Sequence, residues 1–249
     1  MKSFVLGLFL ILSFSVVTEA RVFSMGKETF AGYFSLSGGS SMLGQEAFEK
    51  EASGVTYSSK VGYNYGGEFG VVYARTAASL RFGIEIIKPQ LLDNVKGSNS
   101  TTHLYSIKSD VMAIVPKVTA DINLRTTQTA RSFVTASAGY ANVTLKNTYT
   151  MTAAGTAAYP GMDTAAEAKG TGTQLAASLG QEGFLSDNTT YIFEIGYKQL
   201  LVDNMKYSKD ANLFGTSHSS GDAMKKTDGE SRDLNLGGVV ISLGFRFYL

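Results

Sequence analysis

The chain has no cysteine and no tryptophan, and only 3 prolines and 2 histidines in 249 residues. Without cysteine there is no disulfide framework and no thiolate metal site. His103 and His218 are the only imidazoles, both in segments that read as connections, so the usual zinc-hydrolase and serine-hydrolase arrangements lack material. Charge is scarce as well. Charged residues make up 17 % of the chain, below the roughly one quarter usual for soluble domains. The net charge of +1 gives no global pull toward nucleic acid or an anionic surface, and no nucleic-acid partner is expected. Long apolar runs are also missing beyond the N-terminus: no later segment reaches the roughly 18 consecutive apolar residues of a transmembrane helix.

What is present is glycine and aromatic rings: 27 Gly, 15 Phe and 13 Tyr. The first residues, M-K-S-F-V-L-G-L-F-L-I-L-S-F-S-V-V-T-E-A, have the three parts of a secretory signal. Lys2 supplies the positive region, Phe4 to Val17 the apolar one, and Thr18 and Ala20 the small residues before a cut at Arg21. Residues 1–20 are therefore expected to be a signal peptide and 21–249 one exported domain.

In that domain the apolar residues recur with period two. In the segment from Lys60 to Tyr73, Val61, Tyr63, Tyr65, Phe69, Val71 and Tyr73 share one face, with Lys60, Gly62, Asn64, Glu68 and Gly70 on the other. Successive side chains of a strand point oppositely, so this predicts a long ribbon with one apolar face. Leu80, Phe82, Ile84 and Ile86 repeat the pattern against Arg81, Gly83 and Glu85. So does the run from Met112 to Leu124 against Ala113, Val115, Lys117, Thr119, Asp121 and Asn123. Tyr191 to Tyr197 alternates with Glu194 and Lys198, and Val239 to Leu249 with Ser242, Gly244, Arg246 and Tyr248. Weaker members lie near 30–37, 132–145 and 173–185, making eight strands.

Their connections alternate strictly in size. Short ones fall near 75–79, 125–131 and 186–189, and long polar ones near 38–54, 89–103, 150–171 and 207–231. One end of the sheet is thus trimmed and the other decorated. The third long connection is rich in Ala, Gly and Thr and is compatible with either a mobile loop or a helical turn.

A soluble sandwich also has one apolar face, turned inward. Here the apolar faces are long enough for the about 9–11 residues of a tilted membrane strand, and the other face carries ionisable residues of both signs. In lipid only a closed barrel satisfies every backbone group, and an even strand count permits one. The predicted fold is therefore all-β: an eight-stranded antiparallel transmembrane β-barrel with short periplasmic turns and four long extracellular loops. Its narrow lumen is expected to pair Lys60, Arg81, Lys117, Lys198 and Arg246 with Glu68, Glu85, Asp121, Glu182 and Glu194. Glycines would make room for the long side chains, leaving a polar plug and no wide channel. Tyr57, Tyr73, Tyr105, Tyr191, Tyr207, Phe247 and Tyr248, near strand ends, are read as girdle residues at the membrane interfaces.

The closing V-V-I-S-L-G-F-R-F-Y-L, the strand M-A-I-V-P-K-V-T-A-D-I-N-L and the segment S-F-V-T-A-S-A-G-Y-A resemble the small eight-stranded outer-membrane barrels of Gram-negative bacteria, of the OmpA transmembrane-domain and OmpX type. The resemblance covers residues 21–249 and implies location in the bacterial outer membrane. It implies lipid, periplasmic chaperones and the barrel-assembly machinery as partners, with a closing strand that the machinery reads. Members of the group usually end on Phe, where this chain has Leu249. With the barrel ending there, no peptidoglycan-binding domain is expected.

The expected role is a monomeric, non-enzymatic outer-membrane protein that supports the envelope or contacts a surface ligand through its loops. The alternatives are a narrow channel or small-solute porin and, less favoured, a loop-based enzyme. For the last, His218, Ser219 and Asp222 are the conceivable grouping, with His103 beside Ser100 to Thr102. These are also ordinary loop residues, so no catalytic, cofactor-binding or metal-binding residue is assigned and no cofactor is expected.

Overall fold

The computed structural model describes residue 27 and residues 29–43, 47–57, 62–90 and 92–249. The expected signal peptide at 1–20, and Lys60 and Val61, lie outside the described residues. The strands are β1 (Phe30–Ser40), β2 (Val55–Tyr57), β3 (Tyr63–Ala74), β4 (Ala78–Pro89), β5 (Leu92–Asn99), β6 (Thr102–Thr126) and β7 (Ala130–Met151). A short helix α1 (Ala153–Ala158) precedes β8 (Ala165–Ser186) and β9 (Thr189–Tyr207). Then come β10 (Ala211–Leu213), β11 (Thr216–His218), β12 (Leu234–Asn235) and β13 (Gly238–Tyr248).

Eight of these strands form one antiparallel ring in the order β1, β3, β4, β6, β7, β8, β9, β13 and back to β1. The β6–β7 ladder joins the two ends of the sheet, so no edge is left at membrane depth. The short turns at 75–77, 127–129 and 187–188 lie at the end of the ring where β1 begins and β13 finishes. The predicted alternation of faces holds throughout: Phe69, Phe82, Ile114, Ile195 and Leu243 point outward, while Glu68, Arg81, Asp121, Lys198 and Arg246 are buried inside. Among the described residues no helix is long and apolar enough to span a bilayer, and the crossing is made by strands.

The wall has two heights. β1, β13, β3 and β4 run for 11 to 12 residues, about what a tilted membrane strand needs. β6, β7, β8 and β9 run for 25, 22, 22 and 19. At about 3.3 Å per residue β6 is about 80 Å long, far more than a bilayer requires. The segment read as a loop at 89–103 is the largest difference from expectation. β5 continues the line of β4 along β6, and the chain reverses at Ser100, whose φ is +51°. Lys, Ser and Asn outside with Val95 and Gly97 inside make a strand whose polarity is the inverse of the membrane strands, so it lacks their apolar outer face. For the same reason β7 and β8 outrun their predicted ends. The helical turn allowed in the third connection is α1, whose Gly155 N–H donates to the Thr152 hydroxyl at 3.1 Å.

Rings do gird the barrel, with partly different members from those expected. Tyr63, Tyr65, Tyr140 and Tyr197 are exposed toward the long-loop end of the apolar belt, and Phe30, Phe184, Tyr191 and Phe247 toward the short-turn end. Tyr105, Tyr207 and Tyr248, counted as girdle residues from their position in sequence, point inward and are buried. Nearness to a strand end says nothing of face; strand parity does.

Candidate functional site in the lumen and cap

The ring and its outward belt of Phe, Leu, Ile, Val and Tyr place the polar chemistry of this protein inside. Among the described residues five cations (Arg81, Arg131, Arg246, Lys117 and Lys198) meet five carboxylates (Glu68, Glu85, Asp121, Glu182 and Glu194) in the lumen. Toward the short turns the groups form a chain. Arg131 donates to Glu182 (Nε–Oε2 3.1 Å), and Arg246 bridges Glu182 and Asp121 at 2.8 Å each. Arg81 then joins Asp121 at 2.9 Å to Glu194 at 2.7 Å. Glu182 also accepts from the hydroxyls of Thr190 and Tyr248, both at 2.6 Å. Arg246 and Glu182 have fully buried side chains.

A second cluster lies toward the long-loop end. Glu68 and Glu85 stand directly opposite each other on β3 and β4. Lys117 lies between them at 2.8 and 3.1 Å, Lys198 pairs with Glu85, and Gln174 donates to Glu85 at 2.8 Å. Tyr33 donates to Glu68, and its hydroxyl occupies the space that a side chain on Gly83 would take. Alanine at that position would collide with it, which is why the lumen needs a glycine there. Sequence reasoning named nine of the ten charges; Arg131 was missed because it ends the stretch 125–131 that reads as a short connection. Its register opposite Glu182 was legible only once β7 and β8 were paired.

A cavity of about 50 Å³ lies in the lumen, bordered by Ser37, Glu68, Lys117, Ser137, Ser178 and Ser242 among others. That is room for water, not for a solute. Above it the long connections form a roof. Leu43, Ala47 and Phe48 from the β1–β2 segment, and Met224, Leu234 and Leu236 from the segment before β13, join Val111, Val143, Leu145, Leu200 and Val202 in one apolar core. The two segments are tied together by Met42 N–H to Gly237 O (2.8 Å), Thr227 N–H to Lys50 O (2.8 Å) and Arg232 Nη2 to Glu49 O (2.8 Å). Tyr57, Tyr105, Tyr149, Tyr159 and Phe214 pack ring on ring beside them. Within the roof Glu51 accepts from Asn147 Nδ2 at 2.7 Å and Tyr149 OH at 3.0 Å. Burial pushes its carboxyl up to about 7, against the pull of Arg232 and those two donors.

The two histidines have different surroundings. His103 Nε2 lies 2.9 Å from the Tyr105 carbonyl and 3.3 Å from the Ser106 hydroxyl. The His218 ring stacks on Tyr207 with 4.5 Å between centroids, and burial lowers its pKa. Asp222, considered as its partner, accepts from the Ser219 backbone N–H at 2.7 Å and so closes a turn. Among the described residues no group of three or more His, Asp or Glu is disposed to hold a metal ion.

A closed ring with a lipid-facing belt and a charge-paired interior defines a transmembrane β-barrel, the strand architecture of the bacterial outer membrane. No family's sequence profile matches the chain. No curated protein matches it in sequence. Among solved structures it is similar to the outer membrane protein OprG from Pseudomonas aeruginosa (TM-score 0.40, 10 % identity, covering 91 % of this chain and 99 % of that one). It is also similar to Neisserial surface protein A (TM-score 0.38, 10 % identity, 88 % and 97 %). The outer membrane protease OmpT from Escherichia coli overlaps to the same degree (TM-score 0.38, 9 % identity, 89 % and 94 %). Overlaps this modest leave the barrel to stand on its own hydrogen-bonded ring, and no role is carried over from any of the three.

Proposed function

We propose that the protein is a monomeric, non-enzymatic barrel of the bacterial outer membrane that is closed to solutes, supports the envelope and offers its capped outer end as a contact surface. The observation that carries this reading is the filled interior: five cations against five carboxylates in the lumen, under an apolar roof. A conducting lumen needs a continuous wet path, and an eight-stranded ring is only wide enough for side chains to fill. The partners that follow are the surrounding lipid and, for assembly, periplasmic chaperones and the barrel-assembly machinery. A surface ligand would meet the cap, a rigid scaffold of the kind on which binding segments are commonly mounted.

Membrane fractionation together with a gel comparing boiled and unboiled samples tests the location. The protein should be recovered with the outer membrane and should shift on heating. Recovery in the soluble periplasmic fraction would sink the membrane reading. Purified folded protein in a planar bilayer should give no reproducible unitary conductance. Steps of constant size would replace the closed barrel with a narrow channel.

A further inference from the structure

Above the belt the outward face of the tall wall changes from apolar to basic in an ordered way. Lys108 on β6, Lys146 on β7, Lys169 on β8 and Lys206 on β9 are all exposed and sit on four successive strands. Asp110 lies opposite Lys146 in the β6–β7 ladder, which places Lys108 diagonal to Lys146. Thr144 lies opposite Lys169, which places Lys146 diagonal to Lys169. Lys169 stands directly opposite Lys206. Like charges directly opposite each other are destabilising, so the Lys169–Lys206 pair works against the sheet that carries it. Two carboxylates are set into the row, Asp110 and Glu167, both directly opposite Lys146, and each also pairs with a lysine outside it: Asp110 with Lys88 at 3.3 Å and Glu167 with Lys209 at 2.9 Å. Counting the row together with Lys88 and Lys209 against Asp110, Glu167, Asp203 and Asp210 leaves an excess of two positive charges on this flank (6 − 4). The whole chain has a net charge of only +1.

The height of the row identifies what it faces. Lys108 lies four residues beyond Met112, which is exposed on the belt of β6, and Lys146 lies six beyond Tyr140 on β7. At about 3.3 Å per residue and a tilt of about 45°, these are about 9 and 14 Å above the end of the belt. The headgroup layer of a phospholipid leaflet is only about 5–8 Å deep. The side chains also point sideways from the wall, toward neighbouring lipids. We propose that this lysine row binds the phosphate-bearing headgroups of a glycolipid in the outer leaflet, whose sugars carry phosphate higher than a phospholipid does. Four ammonium groups spread over three strand spacings, about 15 Å, suit several phosphates held as point charges. The inference rests on the membrane reading above and adds the identity of the lipid.

The test uses the mature chain folded into phosphatidylcholine vesicles, alone or doped with a bisphosphorylated glycolipid, its dephosphorylated form, or phosphatidylglycerol. Wild type should bind the bisphosphorylated glycolipid and gain heat resistance from it, with the effect fading as salt is raised. The variant K108Q/K146Q/K169Q/K206Q should lose affinity by about tenfold or more, since each lysine near an anionic surface contributes to the attraction. The control K50Q, in the cap, should behave as wild type. In pure phosphatidylcholine Lys206→Gln alone should be at least as heat-resistant as wild type, because the repulsion between Lys169 and Lys206 is gone. If the quadruple variant does not fold, Lys169→Gln alone should show the same signs at smaller size. Equal stabilisation by dephosphorylated glycolipid or by phosphatidylglycerol, or an undiminished response in the variants, overturns the proposal. So does binding of a soluble sulfated polysaccharide with no response to the lipid. A barrel that folds into the vesicles but ignores lipid phosphate removes this inference and leaves the membrane reading standing; a chain that stays soluble removes both.

Discussion

The lower and upper halves of the same strands obey opposite rules. Along β6 the inward residues pass from Ile107, Val111, Ala113 and Val115 in the roof to Lys117, Thr119 and Asp121 in the lumen. The outward residues pass the other way, from Lys108 and Asp110 to Met112, Ile114, Val118 and Ile122. From Ile107 to Asp121 parity does not slip; only the solvent changes. In lipid the outside must be apolar, and a narrow interior lined with charges must pair them. In water the ordinary arrangement returns, with an apolar core and a polar shell. Between the two halves, V-M-A-I-V-P is apolar on both faces because lipid lies outside it and the roof core inside it. One half is a polar plug that lipid makes necessary, and the other is a small soluble domain built on top of a membrane barrel.

The comparison predicts different failures for the two cores. The largest effect is expected from Glu182→Ala, which leaves the buried guanidiniums of Arg131 and Arg246 without their shared carboxylate. Breaking a buried pair by removing one partner costs about 3–5 kcal/mol, and two cations are orphaned here. The denaturant midpoint of the heat-shifted form should fall accordingly, for the whole barrel at once. Phe48→Ala removes a fully buried ring from the roof, where it packs on Tyr57 with 5.0 Å between centroids. A lost core phenylalanine costs about 3–5 kcal/mol, but here the loss should be confined to the cap. Limited proteolysis should cut residues 47–57 faster while the unboiled band keeps its mobility. If Phe48→Ala lowered the barrel midpoint as much as Glu182→Ala, the two halves would be one cooperative unit and the contrast would fail.

The sign of the outer face is tested by moving one charge down the same wall. Leu243, midway along β13 and 54 % exposed, should tolerate any apolar residue but not Arg. A basic residue on the lipid face near the bilayer midplane costs about 2–4 kcal/mol. Equal refolding yields for Leu243→Arg and Leu243→Ile in vesicles would mean that the face does not meet lipid.

How much of this was legible in the sequence follows from the same inversion. Where lipid is outside, the contrast between faces is large: Phe69 against Glu68, or Phe82 against Arg81, needs only a count of two. The eight strands, the closed ring and most of the lumenal charges could be read that way. Above the membrane the inward residues are often small, as Ala141, Ala166 and Ala168, and the outward ones are Thr and Lys, so those stretches look like polar loops. The roof itself was beyond reach. Leu43 and Phe48 lie in sequence far from Met224 and Leu236, and only the different heights of the wall bring them together. His103 and His218 stood out because they are rare, but rarity carries no geometry, and their neighbours turned out to be a carbonyl and a tyrosine ring.

The most selective effect concerns pH, and it belongs to the cap alone. Glu51 is held in the roof by Asn147 and Tyr149, and burial raises its pKa from an ordinary 4.5 to about 7. The folded cap therefore keeps the proton over a range in which the opened segment has already released it. Protons bound more tightly by the folded form mean that stability falls as pH rises. Glu51 should stabilise the closed cap fully below about pH 4.5, lose that contribution between about 4.5 and 7, and change little above. Hydrogen exchange of residues 47–57 should quicken across that window, after correction for its intrinsic pH dependence. Exchange in the lumenal strands of the same molecule serves as the internal reference. Glu51→Gln keeps a neutral hydrogen-bonding side chain in place, so it should hold the cap at its low-pH protection throughout. A step that persists in Glu51→Gln would assign the titration to another group, with His218 next in line.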